Sequence, residues 1–398
     1  MKKNFYYKFL SCTFLGALGE YMVLTILSWY ILETYNDFSI LGKVLSFRIL
    51  PRFFMGFLGG YLADRYNRRK MMIFLYSFIM LTSFAQTLLV SIYDKPAWYL
   101  LASLLFLRSI FDGAEPSVRN AILPQIVDRG TLAKAVGYYS TGLNLAAIIA
   151  PIIATFLMSK LNFSTVFWID WFFQIPAFFI LFYLPKVNIS DVKEEGFFRS
   201  YKGAWKYLKG NKNLLKCMLV SITMMFFLFP FGAMLSILVK DGLGLGISSY
   251  GYLSGVDAAG AVLAGVILHH IFSNPLKKMK IWYLTALLSG VILIILCLKP
   301  SMVVIYILIF LFGLLSQLFR SFSRVVFQEN TPDKLRGKIM SIIISDSGFI
   351  SLGLLLYTFI AEKKSIFFSV TLMGGITIVI ATYLMLRNIS KKHLYEGT

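Results

Sequence analysis

Apolar runs of about twenty residues, the length a helix needs to cross a bilayer, recur from one end of this 398-residue chain to the other. They fall near 8–32, 40–63, 71–92, 97–118, 133–158, 163–185, 214–239, 248–272, 279–299, 301–323, 338–361 and 364–387. Lipid offers the backbone no hydrogen-bond partner, and runs this long do not read as barrel strands, so each is expected to be a helix. The fold class that follows is an all-α membrane protein with twelve transmembrane helices. Composition agrees: 58% of residues are hydrophobic and 15% charged, against about a quarter charged in soluble domains. Disorder and a soluble enzyme are thereby excluded. The basic start, Met1-Lys2-Lys3, resembles a signal sequence, but the apolar stretch behind it is too long and reads as an uncleaved first span.

The net charge of +20 would raise nucleic acid as a partner for a soluble protein; here it reports topology instead. With the N-terminus inside, 29 of the 39 Lys and Arg lie on cytoplasmic segments and helix ends. Six lie outside (Lys95, Lys160, Lys240, Lys299, Lys363, Lys364), and Lys43, Arg48, Arg52 and Arg108 lie within spans. Basic residues collect on the cytoplasmic side, so both termini are expected there, in a cytoplasmic (inner) membrane. No nucleic-acid partner is expected.

Segment 186–213 is the longest loop. Its basic residues alternate with Phe197, Phe198, Tyr201, Trp205, Tyr207 and Leu208, which suits a helix on the membrane surface or, more plainly, a solvated linker. It divides the chain into bundles of six helices, 1–185 and 214–398. A weak echo relates them: Arg119-Asn-Ala-Ile-Leu-Pro124 after span four, Arg324-Val-Val-Phe-Gln-Glu329 after span ten. Repeated six-helix halves are a plan of secondary transporters.

After span two the chain reads Gly60-Tyr-Leu-Ala-Asp64-Arg65-Tyr-Asn67-Arg68-Arg69-Lys70. This resembles the Gly-x-Leu-Ala-Asp-Arg-x-Gly-Arg-Arg/Lys signature of the major facilitator superfamily. Asn67 replaces the usual Gly, and Asn also tolerates a left-handed backbone. The resemblance implies a cytoplasmic latch. Asp64 would approach the start of span eleven, and Arg68 would pair with an acidic residue on span four, Asp112 or Glu115. In span five, Gly137, Ala146, Ala150, Pro151, Ala154 and Thr155 keep the spacing of a glycine-rich motif of proton-coupled drug antiporters, with four glycines replaced. Small residues there permit close helix contact. Arg108 stands where the family often places an arginine assigned to proton transfer. Within the superfamily the chain is similar to exporters of the macrolide-efflux type, whose relatives also move siderophores or lysophospholipids.

Charges at bilayer depth need partners or water, which makes them candidate proton or substrate sites. Glu20 lies near the middle of span one and could exchange protons, hold a cationic drug, or pair structurally with Arg48 or Arg52. Those two arginines are four apart on one face. They could neutralise Glu20, hold an anionic substrate group, or snorkel toward headgroups. Arg108, Asp112 and Glu115 share one face, with an Arg108–Asp112 pair expected. Asp257 and Asp346 have no local basic partner. Asp170 reads as structural. Tyr21, Phe226, Phe227 and Phe229 are expected to help line an aromatic cavity.

Cys12, Cys217 and Cys297 are too few and scattered for a metal site or disulfide framework, and His269-His270 reads as interfacial. No nucleotide-binding loop, zinc-protease helix or serine elbow is present, so no enzyme and no cofactor is expected. The function expected is proton-coupled efflux of hydrophobic or amphipathic, macrolide-like drugs by alternating access, by a monomer whose partners are its small-molecule substrate, protons and the bilayer. One alternative is an exporter or flippase of a defined metabolite such as a siderophore or lysophospholipid. Another is a non-transporting receptor or assembly protein.

Overall fold

The computed structural model describes residues 2–127, 132–184, 197–271 and 275–395; among them the chain is helical almost throughout and has no strand. The first group of helices is α1 (Lys2–Tyr35), α2 (Phe38–Arg65), α3 (Arg68–Ile92), α4 (Trp98–Ile126), α5 (Leu132–Met158) and α6 (Phe163–Ile180). After α7 (Phe197–Gly210) come α8 (Lys212–Phe227), α9 (Phe231–Ile237), α10 (Ile247–Ile271), α11 (Pro275–Cys297), α12 (Met302–Glu329), α13 (Asp333–Ile344), α14 (Phe349–Lys363) and α15 (Ile366–Tyr395). Helix falls on each expected apolar run. Among the described residues, nine helical segments are long and apolar enough to cross a membrane. α2 and α4 have the length, at 28 and 29 residues, but carry the buried charges that lower their hydropathy.

Side-chain caps set several boundaries, because the first turn of a helix has unsatisfied N–H groups. Asp37 accepts from Ile40 N at 2.9 Å, Asn162 from Thr165 N at 3.0 Å and Asn211 from Leu214 N at 3.1 Å. Asn36, at φ 51°, makes the left-handed turn between α1 and α2. Asn67 caps α3 by accepting from Lys70 N at 3.2 Å, with φ −56°. The expected left-handed turn at Asn67 is therefore absent: its amide satisfies the helix start instead.

The helix expected in 186–213 is present as α7, and among its described residues one face lies on protein while Trp205 is exposed. Ala204 and Leu208 are fully buried, the Tyr201 and Ser341 hydroxyls are 3.1 Å apart, and Tyr207 Oη donates to Asn330 O at 2.9 Å. Lys202, Lys206 and Lys209 face outward.

In the first group α1 packs on α5 and α6, and α4 on α2 and α3; in the second, α10 and α11 pack on α12, α11 on α15, and α8 on α14. The groups meet along α5–α10 and α2–α14. At the end where α1 stops and α2 begins, they close on one another. Glu362 Oε2 accepts from Phe38 N at 2.7 Å, Lys240 Nζ donates to Leu32 O at 2.9 Å, and Trp29 stacks on Tyr250 at 5.8 Å. Deeper in, Ser46 Oγ donates to Ser351 O at 2.8 Å. Glycine permits this approach: a Cβ on Gly42 would sit 1.9 Å from Thr358 Oγ1.

Candidate functional site

Beyond the closing contacts lies a cavity of about 460 Å³, within the range of small-molecule sites, walled mainly by α1 and α4. Glu20, Arg52, Arg108, Asp112, Glu115 and Arg119 line it from the first group; Ser341, Ser345 and Ser347 line it from the second. Phe226, Phe227 and Phe229 do not, although Tyr21 and Tyr76 do. Where aromatic side chains of α8 were expected, the second group presents the serines of α13 and the following turn.

Glu20, Arg48, Arg52, Asp112, Arg108 and Asp170 form one connected network, separate from the Glu115–Arg119 pair. Arg52 Nη2 lies 2.9 Å from Glu20 Oε1 and 3.4 Å from Asp112 Oδ2. Glu20 also meets Arg48 Nη2 at 3.2 Å, and Asp112 meets Arg108 Nε at 3.5 Å. Arg108 Nη1 continues to Asp170 Oδ2 at 3.1 Å, where Ser83 and Gln174 also donate. Arg48 is buried and held by Glu20, which rules out the snorkelling orientation; its carbonyl accepts from Ser109.

The predicted site residues separate by depth. Asp112 lies at the level of Arg52, twelve residues before Asp64 on α2, or about 18 Å at 1.5 Å per residue. It belongs to the cavity network through Arg52 and Arg108. Glu115 is held by Arg119 at 3.0 Å and Tyr76 at 3.3 Å. In the signature itself, Arg65 stacks on Tyr61 at 4.5 Å and Arg69 donates to the Phe182 carbonyl. Arg68 stands in the first turn of α3. Gly60 and the side chain of Asp64, like those of His269 and His270, lie outside the described residues.

In α5, Ala146, Ala150 and Ala154 are fully buried and Pro151 lies inside the helix. A Cβ on Gly255 would come within 3.1 Å of Ile148 O, and one on Gly251 within 1.9 Å of Thr155 Oγ1. The close contact across the two groups comes from Gly251 and Gly255 of α10 against Thr155, Ile148 and Ile152 of α5. Gly137 does not share in it: it faces open space.

Asp257 and Asp346 do not line the cavity, though Ser345 and Ser347 beside Asp346 do. Asp346 is buried and accepts from Ser221. Two arginines escaped the sequence reading, both close to the ends of apolar runs. Arg119 follows run four, but α4 continues to Ile126 and carries it inside, over the Tyr139 ring at 5.1 Å. Arg320 stands nine residues before the end of α12, over the Phe229 ring at 4.5 Å.

A family model described as Major Facilitator Superfamily matches residues 9–352. The chain is 28% identical over 377 residues to the staphyloferrin A transporter of Staphylococcus aureus (strain NCTC 8325 / PS 47), covering 94% of this chain and 93% of that one. It is 23% identical over 359 residues to macrolide efflux protein A of Streptococcus pyogenes, covering 89% and 88%. Its fold is similar to the crystal structure of the nucleoside transporter NupG, with TM-score 0.79, 15% identity and coverage of 96% and 98%.

Proposed function

The chain belongs to the major facilitator superfamily, and from that premise we propose that it is a secondary active exporter working by alternating access, driven by protons. In this reading the twelve helical runs all span the cytoplasmic membrane as two six-helix halves, 1–185 and 214–398. They are joined by cytoplasmic segment 186–213, both termini are inside, and the chain works as a monomer. The uneven distribution of Lys and Arg supports this orientation. The end closed by Phe38–Glu362 and Trp29–Tyr250 is then the outer gate, and the latch of Asp64, Arg65, Arg68 and Arg69 lies at the inner surface.

One observation carries the substrate assignment: Arg52 is shared. Each of its two carboxylates has a second arginine, Arg48 for Glu20 and Arg108 for Asp112. An anionic substrate group can therefore take Arg52 without stranding a buried carboxylate, a step that is otherwise costly. Facing it, Ser341, Ser345 and Ser347 offer hydroxyls from the other half. This arrangement suits a defined polar metabolite with anionic groups, of the siderophore class, and the staphyloferrin A transporter among the relatives supports that reading. A second reading, efflux of macrolide-like drugs, draws support from the macrolide efflux proteins.

The test is transport in proteoliposomes under an imposed pH gradient, with staphyloferrin A and a macrolide as separate substrates. Gradient-driven movement of the siderophore, lost in Arg52→Gln, is the expected result. Movement of the macrolide alone, unaffected by Arg52→Gln, would transfer the assignment to the second reading.

A further inference from the structure

In the first group every described cavity carboxylate has an arginine: Glu20, Asp112 and Glu115. In the second group the buried carboxylates are held differently. Asp346, only 7% exposed, takes a hydrogen bond from Ser221, which is itself fully buried. Ser323 Oγ in turn donates to Ser221 Oγ at 3.2 Å. Among the described residues neither Asp346 nor Asp257 forms an ion pair.

One of the two nearby cations is held back. Arg320 lies over the Phe229 face with its Nε buried and without an acceptor, although its charge acts on both Asp257 and Asp346. The charged groups acting on Asp346 are Arg320 and Arg324 of α12. From α8 it meets Ser221. From α2 the turn around it meets Phe53 and Gly56, and Arg52 of α2 lines the same cavity as Ser345 and Ser347.

We propose that Asp346, rather than Glu20, carries the exchanged proton. The inference rests on the proton-driven reading above. A carboxylate paired with two arginines holds its charge, whereas one held by a hydroxyl serves in either state, because a serine can donate to the ionised form or accept from the protonated one. The O–H bond on Asp346 breaks toward water on one side of the membrane and forms from water on the other. The ionised form draws Arg320 off Phe229; the protonated form releases it. Asp346 sits in the Ser345–Gly348 turn that interrupts α13 and α14. Ser345 and Ser347 touch the cavity, and Gly348 packs on Phe53 of the opposite half. A change of charge at Asp346 thus reaches both the substrate wall and the interface between halves.

The experiment is infrared difference spectroscopy of the full chain in liposomes through a pH titration, following the carbonyl band of a protonated carboxyl. It is paired with gradient-driven transport of staphyloferrin A and of a macrolide. The titrating band should vanish in Asp346→Asn and shift in frequency in Asp346→Glu. Should Asp346→Asn fail to fold, Ser221→Ala replaces it and should move the midpoint of the same band. Gradient-driven transport should fall about tenfold or more in Asp346→Asn, with exchange in the absence of a gradient retained. A band that persists unchanged in Asp346→Asn, or that is lost in Glu20→Gln or Asp257→Asn instead, overturns the proposal. A band lost in Asp346→Asn, with wild-type transport indifferent to the gradient, overturns the proton-driven reading and with it the transport role given to Asp346.

Discussion

Arg108 of α4 and Asp170 of α6 meet at 3.1 Å with both side chains at least 95% buried. Asp170 also receives Ser83 of α3 and Gln174 of its own helix, so the pair ties three helices behind the cavity wall. Its connection to the cavity runs through Arg108, whose Nε faces Asp112.

Removing Arg108 strands Asp170, at a cost of about 3–5 kcal/mol, and removing Asp170 leaves Arg108 only its longer contact with Asp112. Arg108→Met and Asp170→Leu should each lower thermal stability in detergent sharply. The double variant should lose much less than the sum, because no unpaired charge remains. Additive losses would show that the two side chains are not coupled.

The helices were legible because runs of apolar residues are long and uniform, and lipid leaves no other backbone solution. Helix periodicity made the Arg108–Asp112 pair legible, four apart, and shared bilayer depth made legible the pairing of Glu20 with Arg48 or Arg52. Arg108 and Asp170, 62 positions apart, meet through packing of α4 on α3 and α3 on α6, which spacing cannot reveal. The sharing of Arg52 between α1 and α4 is of the same kind. Charges near run ends were misjudged for a different reason: hydropathy falls where a helix enters polar surroundings, although the helix itself continues, as α4 does past Arg119 and α12 past Arg320.

Asn67 offers a direct check on local chemistry. Its side chain caps α3 with a negative φ, so the family's usual glycine is not needed for a left-handed turn here. Asn67→Ala should cost about 1 kcal/mol, and Asn67→Gly only a few tenths. Chemical denaturation of the purified chain would separate the two. A larger loss for glycine than for alanine would contradict the capping role.

Glu362 caps α2 from the opposite half, accepting the Phe38 N–H at 2.7 Å. Both groups are solvent-exposed, so Glu362→Ala should weaken the closed end by about 1 kcal/mol or less. That still amounts to a severalfold change in the balance of two states, since about 1.4 kcal/mol is tenfold. A cysteine placed at Tyr35 should become more reactive to a membrane-impermeant thiol reagent in Glu362→Ala. Unchanged reactivity would mean that Trp29–Tyr250 and Lys240–Leu32 hold the end shut without it.

Thr155 and Gly251 give the most stringent test of how the halves close. Thr155 occupies a position where the antiporter motif has glycine, and Gly251 faces it so closely that a Cβ would lie 1.9 Å from Thr155 Oγ1 and 2.7 Å from both of its carbon neighbours. Bulk absent from one helix is present on the other. Thr155 Oγ1 is already committed to the Pro151 carbonyl at 2.9 Å, so the side chain cannot rotate away without losing that bond. Gly251→Ala should therefore prevent α5 and α10 from approaching, and overpacking of this kind typically costs about 1–3 kcal/mol. The state closed at the Trp29–Tyr250 end should be depopulated, and spin labels on α5 and α10 near that end should show a longer distance distribution. Thr155→Gly on its own should be tolerated, and Thr155→Gly with Gly251→Ala should restore the short distance by moving the missing bulk from one helix to the other. If the double variant stays open, the contact does not govern closure.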